Sequence, residues 1–428
     1  MKAIRNSWTF WTATLVNVVL ISFSAAFAQS SYRVEDLGTL GGSFAQATGL
    51  NNRDWVTGLA TLPGDAQVQA FLWRDGTIAD LGTLGGPNSW AATANERGQV
   101  IGGAETAMQD PNQENDCFFG TTFQCLPFIW RHGKMTALPT LGGTNGFANS
   151  INNRGQVIGY AENSTPDSTC APGTQVLEVE PVLWEERGIH QLPTLAGDND
   201  GVALVINDKG QTVGASGNCF SAEVQHHAVF WPNRDTVIDL GNLGGAQNNI
   251  AEGINNRDQI VGHSGRADGT THAFLWQDGT MSDLGTLAGD SSSFAWFIND
   301  NSQVVGTSVD ASGNSRAFLR DDGTLTDLNT LISADSPLFL LDAFVINEHG
   351  DIVGDALQKA TGQVHAYLAR RCEASDSVDE ACGDCGAITA ASAHQSNGKE
   401  MSVIPESVRT LVREHLARRS LSRPLGKQ

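Results

Sequence analysis

Residues 32–42 read YRVEDLGTLGG, and the last seven of them return unchanged at residues 80–86. Weaker copies follow at 137–143 (ALPTLGG), 191–197 (QLPTLAG), 239–245 (DLGNLGG), 283–289 (DLGTLAG) and 327–332 (DLNTLI). A second element keeps step with the first. It runs from LNNRDWVTG at 50–58 through INNRGQVIG at 151–159 to INEHGDIVG at 346–354, and its asparagines are Asn51, Asn95, Asn152, Asn207, Asn255, Asn299 and Asn347. A third, apolar element begins as AFLW at 70–73 and ends as AFLR at 317–320 and AYLA at 366–369. All three occur seven times.

Each unit reads as four short strands, a to d. Strand a ends near the Ile-Asn, a tight turn leads to strand b (QVIG), and a variable loop leads to strand c (AFLW). A turn such as Arg74-Asp75-Gly76-Thr77 then opens strand d, which runs into the Asp-Leu. Asp-Gly between apolar runs is a strong hairpin signal because both residues tolerate positive φ. Seven such units predict an all-β, seven-bladed β-propeller with about four strands per blade; a β-solenoid is the alternative.

The opening stretch separates the two. Tyr32–Leu37 is a strand d with no a, b or c before it, and 365–368 (HAYL) is a strand c with no d after it. Together they complete one blade. Closing a ring this way removes the free sheet edge that would otherwise recruit another chain, and a solenoid has no use for such complementarity.

These residues resemble the HAF repeat family of bacterial exported proteins, named for a tripeptide present here as His272-Ala273-Phe274 with DLGTLAG close behind. The resemblance spans about residues 32–370 and implies export and a β-rich repeat array. It implies no catalytic residues. The sequence departs from the pattern at Pro139 and Pro193 (first Gly), Arg320 and Ala369 (strand-c Trp), and Asn329 and Ile332 (glycines), so the sixth and seventh blades are expected to pack differently.

Composition agrees. The 428 residues include 47 glycines, only 17% are charged, and the net charge is −21. This suits turn-rich β structure and argues against a nucleic-acid partner, which needs clustered Lys and Arg. Lys2 and Arg5, an apolar stretch including 15–23, and the Ala26-Phe27-Ala28 triplet read as a signal peptide over 1–28. The expected organisation is signal peptide, propeller over 29–370, and a Cys-containing linker with a short basic amphipathic helix over 371–428. The mature chain is expected to be monomeric, without a transmembrane segment, and extracellular or periplasmic.

The b–c loops are long in three adjacent units: Gly102 to Phe128, Gly159 to Val182 and Gly214 to Val229. Insertions on a rigid scaffold are where function commonly sits. Their cysteines are Cys117, Cys125, Cys170 and Cys219; four allow three pairings, of which Cys117–Cys125 and Cys170–Cys219 are the expected ones. Cys382 and Cys385, a C-x-x-C in the tail, read as a structural disulfide. Asp110, Glu114, Asp116, Glu178 and Glu180 are the candidate binding-face residues, also able to supply paired carboxylates to a glycosidase.

His227, His272 and His365 share one repeat position and read as structural. Trp90 and Trp296 lie outside the strand-c tryptophan register. The stretch 197–201 (GDNDG) faintly suggests a calcium ion but lacks the glutamate spacing of a calcium loop and reads as an Asp/Asn turn; no cofactor is predicted. The expectation is an exported, non-enzymatic binding scaffold for an extracellular protein, glycan or envelope component, working through the inserted-loop face. An extracellular glycan hydrolase or lyase, or a structural envelope or matrix protein, are the alternatives.

Overall fold

The computed structural model describes residues 32–171, 175–220, 226–245 and 249–372, with 404, 406 and 408–410. The stretch expected to be a signal peptide, Cys382, Cys385 and most of the expected tail helix lie outside these residues. Strands a to d of the first blade are Ala45–Leu50, Val56–Thr61, Val68–Arg74 and Thr77–Asp80. Six sheets repeat that order, each strand antiparallel to its chain neighbour. Strands a and b of the first blade are wholly buried, while strand d is largely exposed. The inner strands are therefore packed on both faces, which is why small and apolar residues are not confined to alternate positions along them.

The seventh sheet closes the ring. Tyr32–Asp36 pairs antiparallel with Val364–Arg371, from Tyr32 opposite Arg371 to Asp36 opposite Tyr367. The array is a seven-bladed propeller, and the solenoid alternative is excluded by this closure. The seventh blade does depart from the others: its innermost strand is broken into Leu338–Leu340 and Val345–Ile346.

The repeated motifs are contacts. His272 Nδ1 lies 2.9 Å from Asp283, and His365 Nδ1 lies 2.8 Å from Asp36, so the His of strand c meets the Asp that ends strand d. Arg316 and Asp327 take the same places in the sixth blade at 2.9 Å. Two of the strand-c tryptophans hold the crossing that enters their blade: Trp184 and Trp231 donate to the carbonyls of Pro139 and Pro193, each at 2.8 Å.

The asparagines form a circle. Each donates from Nδ2 to the backbone carbonyl of the corresponding Asn in the next blade. The distances run from 3.3 Å (Asn51 to Asn95) to 2.9 Å (Asn299 to Asn347), and Asn347 returns to Asn51 at 3.4 Å. Each Oδ1 accepts N–H groups two and four residues on, as Asn207 does from Lys209 and Gln211. A second circle runs beside it. The backbone N–H of Asn52 donates to Glu96, Glu96 to Asn153, Asn153 to Asp208, Asp208 to Asn256, Asn256 to Asp300, Asp300 to Glu348 and Glu348 to Asn52. The Ile-Asn-Asn/Asp motif is thus the fastening between blades.

Strand a carries a bulge in each of the first six blades, where the register shifts around Thr48, Ala92, Asn149, Leu204, Glu252 and Trp296. Just before it, strand a presses a carbonyl onto the invariant Gly of strand b. A Cβ on Gly159 would lie 2.0 Å from Phe147 O, and one on Gly262 2.0 Å from Ile250 O. Only glycine permits that approach.

Among the described tail residues, Ile404 and Val408 are buried against Phe44, Phe339, Leu341, Leu357 and Val364. That part of the tail docks on the seventh-blade seam. Among the described residues no helix is long and apolar enough to cross a membrane.

Candidate functional site

A bulge leaves one residue without a ladder partner and re-aims its side chain. Here the bulged residue of each of the first six blades faces the propeller axis. Thr48, Ala92, Asn149, Leu204, Glu252 and Trp296, with Phe344 in the broken strand of the seventh blade, all line a cavity of about 320 Å³ that runs along the axis. This volume falls in the range of small-molecule sites. The Asn circle lines one end. From the opposite side come Asp116 and Phe118 of the second-blade insertion, Gln175 of the third and Phe220 of the fourth.

Two aromatic walls stand on opposite sides of the axis. In blades 2 and 3, Trp90 meets Phe147 edge-on at 5.2 Å, and Phe147 stacks with Tyr160 at 6.4 Å. In blades 6 and 7, Trp296 stacks with Phe294 at 5.7 Å and lies 6.1 Å from Phe344. Trp296 Nε1 donates to Thr307 at 2.8 Å, fixing the indole.

Polar groups sit between the walls. Tyr160 donates its hydroxyl to Asp116 at 3.1 Å. Glu252 Oε1 lies 3.8 Å from Nδ1 of His263, a fully buried imidazole packed against Phe294 and Trp296. Burial, with the charge of His226 beside it, pushes His263 down to about 3, so its ring is neutral at ordinary pH. Burial likewise lowers His226, stacked on Phe220, to about 4.

The insertions form one packed block. Cys117 is bonded to Cys125 and Cys170 to Cys219. Cys372 is disulfide-bonded as well. Phe119, Phe220 and Val179 share a core with Phe147 and Tyr160. Of the five acidic candidates, only Asp116 lines the cavity. Asp110 is fully buried and accepts from the N–H groups of Asn112 and Glu114 and from Thr144. Glu114 accepts from Val176 N at 2.8 Å, joining the second insertion to the third. Glu178 and Glu180 both accept from Asn163 Nδ2.

Of the faint calcium stretch, Asp198 accepts from Ser216, and Asp200 accepts from Val179 N and Cys219 N. These carboxylates fasten the loop to its neighbours. Asp54, His349 and Asp351 come close enough together to hold a metal ion, but Arg370 Nη1 also bonds Asp54.

Two carboxyls of the insertion block predict a pH dependence. Burial, then repulsion from Glu178, raises Glu180 to about 7 against hydrogen bonds from Gln191 and Asn163. Burial, then the Asp167 charge, raises Asp200 to about 7. Between the ordinary carboxylate range and about pH 7 the folded chain holds protons that the unfolded chain has lost, so stability falls as pH rises through that window. The thermal midpoint, followed by circular dichroism, is expected to be higher at pH 5.5 than at pH 8, and Glu180→Gln is expected to narrow the difference. Asp36 acts oppositely. Burial alone would raise it, but bonds from His365 and Gly38 N hold it below 3.8, so its contribution is lost only below that value.

No protein-family model matches the chain, and no curated protein matches it in sequence. Solved structures are similar in architecture, and the sheets and their closure define the class, a β-propeller. A gluconolactonase from Xanthomonas campestris is similar over 81% of this chain and 93% of its own, at 10% identity and a TM-score of 0.37. The β-propeller domain of the Trilobed protease from Pyrococcus furiosus is similar over 76% and 93%, at 7% identity and 0.42. A puromycin-hydrolysing peptidase from Mycobacterium tuberculosis is similar over 78% and 55%, at 11% identity and 0.45. No activity is carried across from them.

Proposed function

We propose that the protein is an exported binding propeller that holds a small molecule in its axial cavity, with the three insertions walling one end. The observation that carries this is a contrast between two neighbouring ring positions. The Asn position is the same in all seven blades, whereas the bulge position three residues before it is Thr, Ala, Asn, Leu, Glu, Trp and Phe in turn. A fastening repeats; a binding surface for an asymmetric molecule does not. The two disulfides fit an oxidising compartment.

The test fills the cavity. A small-molecule library is screened by thermal shift and hits are measured by calorimetry on wild type, Ala92→Trp and Leu204→Trp. Hits are expected to lose binding at least about tenfold in both variants while unliganded melting stays near wild type. Unchanged binding in both folded variants, or loss only when the second and third insertions are shortened, would place the site elsewhere.

A further inference from the structure

Resting on that axial-site reading, we infer that the ligand is an organic cation, an alkylated ammonium group seated between the two aromatic walls and held by Asp116 and Glu252. Three observations converge. The first is the walls: Trp90, Phe147 and Tyr160 on one side, Trp296 and Phe344 on the other. Ring faces attract cations, and alkylated ammonium groups, which have few or no N–H donors, are recognised largely through them.

The second is the sign of the lining. Its carboxyl side chains are Glu96, Asp116, Asp208, Glu252, Asp300 and Glu348, and among the described lining residues none is Lys, Arg or His. A carboxylate ligand would meet carboxyls at the Asn-circle end and again at Asp116 and Glu252, with no basic side chain among the described lining to balance it. The third is depth. Asp116 and Glu252 are both buried, and a carboxylate within low-dielectric walls attracts a cation more strongly than one in water does, so a bound cation would itself favour their charged forms. The chain's net charge of −21 also draws cations toward it.

The experiment is calorimetry on the full mature chain. The probes are choline, benzyltrimethylammonium, 3,3-dimethylbutan-1-ol (the neutral isostere of choline) and 3,3-dimethylbutanoate. At least one cation is expected to bind about tenfold or more tighter than the neutral isostere, and the anion is expected not to bind. Glu252→Gln and Asp116→Asn, two variants so that one misfolded protein does not decide the matter, are each expected to weaken the cation about tenfold and leave the alcohol unchanged. Equal affinity for choline and its isostere, or cations failing where neutral library compounds bind and Ala92→Trp abolishes that binding, overturns the cation assignment alone. If no compound of any charge binds, the axial-site reading falls with it.

Discussion

A chain lacking residues 32–36 is expected to lose its single cooperative melting transition and to elute as dimers and larger species. Those five residues contribute the outer strand of the seventh blade, hydrogen-bonded along Val364–Arg371. Tyr32 is buried there, and its N–H also donates to Leu331 O at 2.8 Å. A ladder of that length at about 1 kcal/mol per bond, plus about 2 kcal/mol for the tyrosine, comes to a large share of a typical domain's total stability. The loss would also bare the edge of Val364–Arg371, a template for a second chain. Circular dichroism and size-exclusion chromatography check both outcomes. A monomer with a native-like melt would show that the ring does not depend on its closing strand.

Gly159→Ala is expected to cost more than about 4 kcal/mol and in practice to abolish folding. The new Cβ would lie 2.0 Å from Phe147 O, and 3.0 Å from Ala148 Cα. Both are backbone atoms of strand a, so no rotamer change relieves the contact. The control is Gly133→Ala, at φ 79° with nothing near its Cβ, expected to cost about 1 kcal/mol. Denaturant titration compares them. Similar midpoints would mean that the bulge of strand a yields to accommodate the methyl group.

Much of the architecture was legible because it is written seven times. The unpartnered strand d at Tyr32–Leu37 announces closure in the sequence itself. The His position before Ala proved a strand-c partner for the Asp of strand d, a relation visible only once both motifs are paired in space. The cavity was harder to see. Attention goes naturally to the insertions, where the repeat breaks, but the variation that shapes the cavity lies inside the repeat. Thr48, Ala92, Asn149, Leu204, Glu252, Trp296 and Phe344 share nothing except their distance from the invariant Asn. A bulge leaves no compositional trace, so their common direction was hidden; Trp90 and Trp296, out of register with the other tryptophans, were the visible hint. Acidic side chains in the insertions misled for a related reason: composition marks Asp110, Glu114, Glu178 and Glu180 as polar but not as inward-turned partners of backbone N–H groups and amides.

The two hydrogen-bonded circles all run one way, each blade giving to its successor and the seventh giving to the first. Such a circuit has no first member. The chain ends, which define where the polypeptide starts, have no standing in it, and every seam between blades is equivalent to it, including the one the termini close. A repeat array fastened like this cannot grow by one unit at its end, as an open stack can. Adding or losing a blade means breaking the circuit and rebuilding it at a new circumference. The asparagine that looks like a local turn residue is thus a link in a loop with no end, and the seam closed by the two chain termini is fastened like the six that the chain runs through.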